Sequence, residues 1–248
     1  MHLLIINFMK KSVSDDNSQY VYQEEKFKGK LLIKDKFKWT EKQKKFIEIA
    51  SSKDTKIIIC KGVPGSGKTL LSTYCSLQML LSKKISKIIF YRNPIESCSK
   101  SLGFLKGEYE EKIAPYGAPL FDHLYELLSG PEVEKLIKEK FLSIDSIGFA
   151  KGRTHNVVSM ICDESEDLTV QELELIMGRM GKFSKLFLIG DERQANIRNS
   201  GFADVYDLFN NEESRQNGIH TFEFDANDCM RNEILKFIIE KFDKLHKR

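Results

Sequence analysis

Short unbroken apolar runs alternate along the chain with longer stretches of helical spacing. Ile57 to Cys60 is continuously apolar, as a strand buried on both faces would be. The stretches from Ser86 to Arg92, Val157 to Cys162, Lys185 to Gly190 and Ile219 to Phe224 read as further strands. Residues 141–150 hold one or two shorter ones. Between them lie helical patterns. Thr40 is the expected N-cap of a helix running to Ala50, with Phe46, Ile47 and Ala50 on one face. Leu70 to Leu81 is apolar-rich and of helical length. Glu108 to Leu128 reads as one long helical region, separated by a Gly130-Pro131 break from a short helix over Glu132 to Lys140. Thr169 and Glu172 form a capping box, Leu168 and Leu173 its hydrophobic staple, and Gly181 the helix stop. A final helix opens at Asp228, with Met230, Ile234, Phe237, Ile238, Phe242 and Leu245 as its apolar stripe.

Composition narrows the class. A chain of 248 residues that is 41% hydrophobic and 30% charged suits one α/β domain with extensions, and it is not a disordered composition. The formal charge of +3 is too small to argue for nucleic acid by itself. Eight arginines stand against 31 lysines, which makes each planar guanidinium fork informative. Five cysteines without a Cys-x-x-Cys pair read as reduced thiols of a cytoplasmic protein. The five histidines have no metal-ligand spacing. Residues 1–9 are apolar but too short to span a membrane, so no membrane partner is expected. Residues 12–20 read as a polar connection. Phe27, Phe37 and Trp39 lie among the lysines of residues 24–45; packing aromatics on a solvated lysine face are favoured over a nucleic-acid groove.

The chemistry concentrates after the Ile57 run. Gly62-Val63-Pro64-Gly65-Ser66-Gly67-Lys68-Thr69, with Leu70 following, fits a phosphate loop between a strand and a helix N-terminus. Its amides and the helix dipole would attract phosphate oxygens. Lys68 would reach the β- and γ-phosphates, and Thr69 would hold Mg²⁺. The strand at Val157 runs into Asp163-Glu164, a Walker B pattern, in which Asp163 would hold Mg²⁺ and Glu164 would deprotonate water. Gln194, beyond Asp191, would sense the γ-phosphate. Gln43 is either an adenine contact or an ordinary surface glutamine. Arg92 ends a strand, where it would meet a phosphate of a nucleic acid or of the nucleotide. Arg231 sits in a helix's first turn, where a cation opposes the dipole and suggests an anionic partner.

Taken together, Gly62–Thr69, Arg92 through Gly103-Phe-Leu-Lys-Gly107, Gly152-Arg-Thr154 with Asp163-Glu164, Gly190-Asp-Glu-Arg-Gln194 and Asp228-x-x-Arg231 resemble the PhoH-like family of P-loop ATPases. The short versions found in bacteriophages are the most similar in form. The resemblance covers roughly residues 40–240, and it implies a single RecA-like P-loop NTPase core over residues 39–248, behind an extension of residues 1–38. That core is an α/β fold with a mostly parallel sheet and helices on both faces. It further implies ATP and Mg²⁺ as cofactors, a link to RNA or single-stranded DNA, and the cytoplasm of a bacterium or of a phage-infected host. Some relatives carry a PIN nuclease domain ahead of the core; about 50 residues are too few for one, so no nuclease activity is expected. The chain departs from the usual helicase Asp-Glu-Ala-Gln in having Asp163-Glu164-Ser165-Glu166, and Asn93 separates Arg92 from Pro94. The missing glutamine normally couples ATP to nucleic acid.

The expected activity is Mg²⁺-dependent ATP hydrolysis. One RecA-like domain supplies one wall of a site that two such domains complete. Either the chain forms a homo-oligomer, for instance a hexameric ring, and a neighbour inserts Arg231, Arg153 or Arg179, or hydrolysis is slow. The alternative is a nucleotide-dependent nucleic-acid-binding module with little turnover. A kinase is a third reading, against which the Asp163-Glu164 pair argues.

Overall fold

Each apolar run has two faces to cover, and the fold covers both. The computed structural model describes residues 27–34, 36–92 and 117–229, together with helical positions 234, 237, 238 and 241. Among these residues six strands form one sheet: β1 (Ile57–Gly62), β2 (Lys87–Tyr91), β3 (Leu142–Asp145), β4 (Val158–Cys162), β5 (Lys185–Gly190) and β6 (Ile219–Phe224). Their order is β3-β2-β4-β5-β1-β6, and every pairing is parallel. This is the expected α/β architecture of a single RecA-like core.

Alternate strand residues feed two separate cores. Ile58, Cys60, Phe90 and Phe187 point to the first, which is closed by α1 (Glu41–Ser51), α2 (Lys68–Leu81), α3 (Ala118–Leu127) and α4 (Gly130–Lys138). Ile57, Ile59, Tyr91 and Leu188 point to the second, closed by α5 (Val170–Met177) and α6 (Phe202–Phe209). A short α7 (Glu212–Gln216) leads into β6. Each fully buried aliphatic side chain contributes about 1.5–3 kcal/mol, so a strand apolar on both sides is stable only between two helical layers. Four cysteines fall among the described residues, and all four are free thiols.

Residues 27–34, part of the expected extension, pack on the first core. Phe27 and Leu31 are buried, the Phe27 ring meets Phe141 edge-on at 5.0 Å, and the Lys34 amide donates to Leu127 O at 2.8 Å. Phe37 stacks on Trp39 at 4.8 Å. The interleaved aromatics therefore pack against protein.

Several expected boundaries move. Gly130-Pro131 opens α4 instead of separating two helices: Ser129 is the N-cap, its amide donates to Glu132 Oε2 at 2.9 Å, and proline is tolerated in a first turn. α5 ends at Met177, before Gly181. Gly181 answers a different need, since a Cβ there would lie 2.2 Å from Asn156 Oδ1. The described members of the final apolar stripe, Ile234, Phe237 and Ile238, are exposed instead of buried. Beside β6 the space on one face is already filled, where Phe46 of α1 meets Phe222 and Phe224, and α6 packs on the same strand. Residues 1–26 and 93–116, with the Gly103–Gly107 turn and Cys98, lie outside the described residues, as do Met230, Arg231, Phe242 and Leu245.

Candidate nucleotide site

In a parallel sheet all carboxyl ends lie along one edge. The ends of β1, β2, β4 and β5 bring Gly62–Thr69, Arg92, Asp163-Glu164 and Asp191 together around a cavity of about 920 Å³. The loop after β1 turns on Gly65 and Gly67, with φ of 76° and 86°, a left-handed backbone that other residues rarely adopt. Gly67 is also the N-cap of α2. Ser66 Oγ donates to Val63 O at 2.8 Å and closes the loop from inside. Val63 and Leu70 are buried beneath it. Pro64, Gly65, Gly67, Lys68, Thr69 and Leu70 line the cavity.

Lys68 Nζ donates to Gly62 O at 2.7 Å and Val63 O at 3.1 Å, so its ammonium lies across the mouth of the loop. Thr69 Oγ1 donates to Asp163 Oδ1 at 3.1 Å, which sets a hydroxyl and a carboxylate side by side. Desolvation raises the Asp163 pKa, opposed by the Arg92 charge and the Thr69 hydrogen bond. Such a hard-oxygen pair beside a phosphate loop fits Mg²⁺, which is usually held by few protein oxygens and by substrate phosphates.

Glu164 has a left-handed backbone, φ 53° and ψ 44°, uncommon for a residue with a side chain. Its carboxylate is held by Arg92: Nε donates to Oε2 at 3.2 Å, and Nη2 donates to Oε1. Desolvation raises its pKa, Arg92 lowers it, and Asp163 and Asp167 raise it again. Sequence reasoning gave Arg92 a phosphate partner and did not foresee this carboxylate. Gln194 lines the same cavity, with Nε2 donating to Asp191 Oδ2 at 2.9 Å.

One expected position differs. Gln43 is fully buried: Oε1 accepts from the Thr40 amide at 3.0 Å and Nε2 donates to Ser66 O at 3.3 Å. It ties α1 to the loop and does not line the cavity, so it is not an ordinary surface glutamine. Arg153 and Arg179 do not line this cavity either. Arg153 borders a second one of about 520 Å³, beside Lys87, Lys140 and His155.

Sequence reasoning missed the far wall. Pro119, Asp122 and His123 of α3, and Lys36 and Phe37 before α1, complete the cavity. No local motif marks them, because only the packing of α3 against α2 brings them there. Glu166 was noted only as a departure, yet it is 5% exposed and borders the cavity, and its Oε2 has no hydrogen-bond partner among the described residues.

The PhoH-like protein family matches residues 37–243, nearly the whole described chain. This chain belongs to the PhoH-like family. PhoH-like proteins are in general ATP-binding P-loop proteins. The chain is 31% identical over 199 residues to the PhoH-like protein of Bacillus subtilis (strain 168), covering 79% of this chain and 61% of that protein. It is 27% identical over 208 residues to the PhoH-like protein of Synechocystis sp. (strain ATCC 27184 / PCC 6803 / Kazusa), covering 83% and 61%. It is 29% identical over 199 residues to Protein PhoH of Escherichia coli (strain K12), covering 78% and 54%. The match thus spans little more than half the length of these PhoH-like relatives. Among the described residues no helix is long and apolar enough to cross a membrane.

Proposed function

We propose that the chain binds ATP with Mg²⁺ and hydrolyses it, with turnover coupled to RNA or single-stranded DNA. The observation that carries this reading is the Thr69–Asp163 contact at 3.1 Å beside Lys68 and Glu164. Lys68 exchanges the Gly62 and Val63 carbonyls for phosphate oxygens, while the amides of the Gly62–Thr69 loop and the N-terminus of α2 supply further positive potential. Thr69 and Asp163 hold the metal, which neutralises charge on the phosphates. Glu164 accepts a proton from the attacking water, and Gln194 orients that water.

Phosphate release with and without Mg²⁺ tests this directly. Glu164→Gln is expected to lower turnover by about 10²-fold or more while ATP binding persists. Equal rates for the two proteins would remove Glu164 from the chemistry.

A second reading, nucleotide-gated nucleic-acid binding with little turnover, is favoured by the hold of Arg92 on Glu164. Phosphate release measured with and without single-stranded RNA separates the two. Hydrolysis that rises with RNA supports the motor, and RNA binding that follows nucleotide without phosphate release supports the module. We further propose a homo-oligomer in the cytoplasm, in which an arginine of one copy reaches the site of the next.

A further inference from the structure

The Arg92–Glu164 pair engages both oxygens of the residue assigned as the base. A base must present a carboxylate oxygen to water, yet both Glu164 oxygens accept hydrogen bonds from one guanidinium. The main chains on either side are fixed. The Arg92 amide donates to Asp145 O at 3.2 Å, and Tyr91 O accepts from the Asp163 amide at 3.0 Å. Beyond Glu164, the Asp167 amide donates to Glu164 O at 3.0 Å, and Ser165 Oγ donates to Cys162 O at 2.9 Å. The two side chains can therefore part by rotamer changes alone, with the sheet unmoved.

Arg92 also lines the cavity that holds Lys68 and Thr69. A phosphate oxygen entering there competes with Glu164 for the same fork, and it competes well, because guanidinium geometry matches phosphate as it matches carboxylate. We propose that Arg92 is a two-partner positioning residue: it holds Glu164 back until a phosphate oxygen takes its place, and that exchange releases Glu164 to the attacking water. This rests on the hydrolytic reading above. No bond is made or broken in the exchange; Arg92 stays paired throughout.

The phosphate belongs either to the nucleotide or to a nucleic-acid strand, and the test has an arm for each. Arg92→Gln and wild type are compared for phosphate release with and without poly(U), and for ATP and ADP affinity. Where a strand phosphate springs the latch, strand-free kcat of Arg92→Gln is raised about tenfold, the worth of losing charge-assisted hydrogen bonds. Loss of poly(U) stimulation identifies a strand phosphate; loss of the preference for ATP over ADP identifies the nucleotide. A wild type that turns over beside a variant that keeps its strand-free kcat, its poly(U) stimulation and its preference for ATP over ADP overturns the latch alone, as does a variant that keeps both responses and whose kcat simply falls. Silence of both proteins overturns the hydrolytic reading and the latch together. A silent wild type beside an active Arg92→Gln supports the latch.

Discussion

Glu166 is a carboxyl group whose surroundings oppose its charge. Burial pushes its pKa up to about 8, against the backbone amides of Glu166 itself and Asp191, and Asp167 and Asp163 push it higher. At neutral pH the side chain is therefore a carboxylic acid, able to donate as the amide of glutamine does. The consequence for stability has a definite sign. Between the ordinary glutamate value and about 8, the native state keeps a proton that the unfolded state has released. Stability from this group is complete below that window and lost as pH rises through it. Glu166→Gln, neutral at every pH, is expected to melt higher than wild type at pH 8.5 and to approach it at pH 4.5. Thermal melts of both proteins at the two pH values check this; a constant gap between them would mean that the fold leaves the Glu166 pKa where the unfolded chain has it.

At the scale of elements, the best-read features are those with a local cause. The double-sided runs at Ile57, Ile88, Met160 and Leu186 give strands because each must bury both faces, and the Thr40 and Thr169 caps satisfy helix amides within four residues. The loop from Gly62 to Thr69 is equally local. What stayed hidden depends on contacts between distant residues. Gly181 reads as a helix stop until Asn156 is seen against it, and Arg92 reads as an open phosphate contact until β2 and β4 are paired. Gln43 belongs to both classes. Its capping box was latent in the Thr40-x-x-Gln43 spacing, whereas its bond to Ser66 O spans 23 residues. Gln43→Ala removes both and leaves Ser66 O without that donor, at an expected cost of about 2 kcal/mol. Denaturant unfolding measures the cost, and nucleotide affinity is expected to fall with it, since α1 no longer steadies the loop. Full affinity in a destabilised variant would separate the tie from the site.

At the scale of the whole molecule, the cavity has a cationic base, Lys68, and, among the described residues, one arginine in its wall, Arg92, which is engaged with Glu164. Arg153 and Arg179 lie elsewhere and differ in reach. Arg153 is exposed on the loop of residues 151–154, where Gly152 has φ 76°, whereas Arg179 is half-buried, with Nε enclosed. Arg153 is thus the better placed to enter the site of a neighbouring copy. If it does, a working site needs Lys68 from one subunit and Arg153 from the next. Lys68→Ala and Arg153→Ala are then each expected to be nearly inactive alone. Mixed in equal amounts and allowed to exchange subunits, they place both intact residues at about a quarter of the interfaces of a closed ring, and turnover returns in proportion. Subunit mass measured on the same samples ties the recovery to assembly. Recovery without an oligomer cannot arise from this arrangement, and an oligomer without recovery removes Arg153 from the shared site.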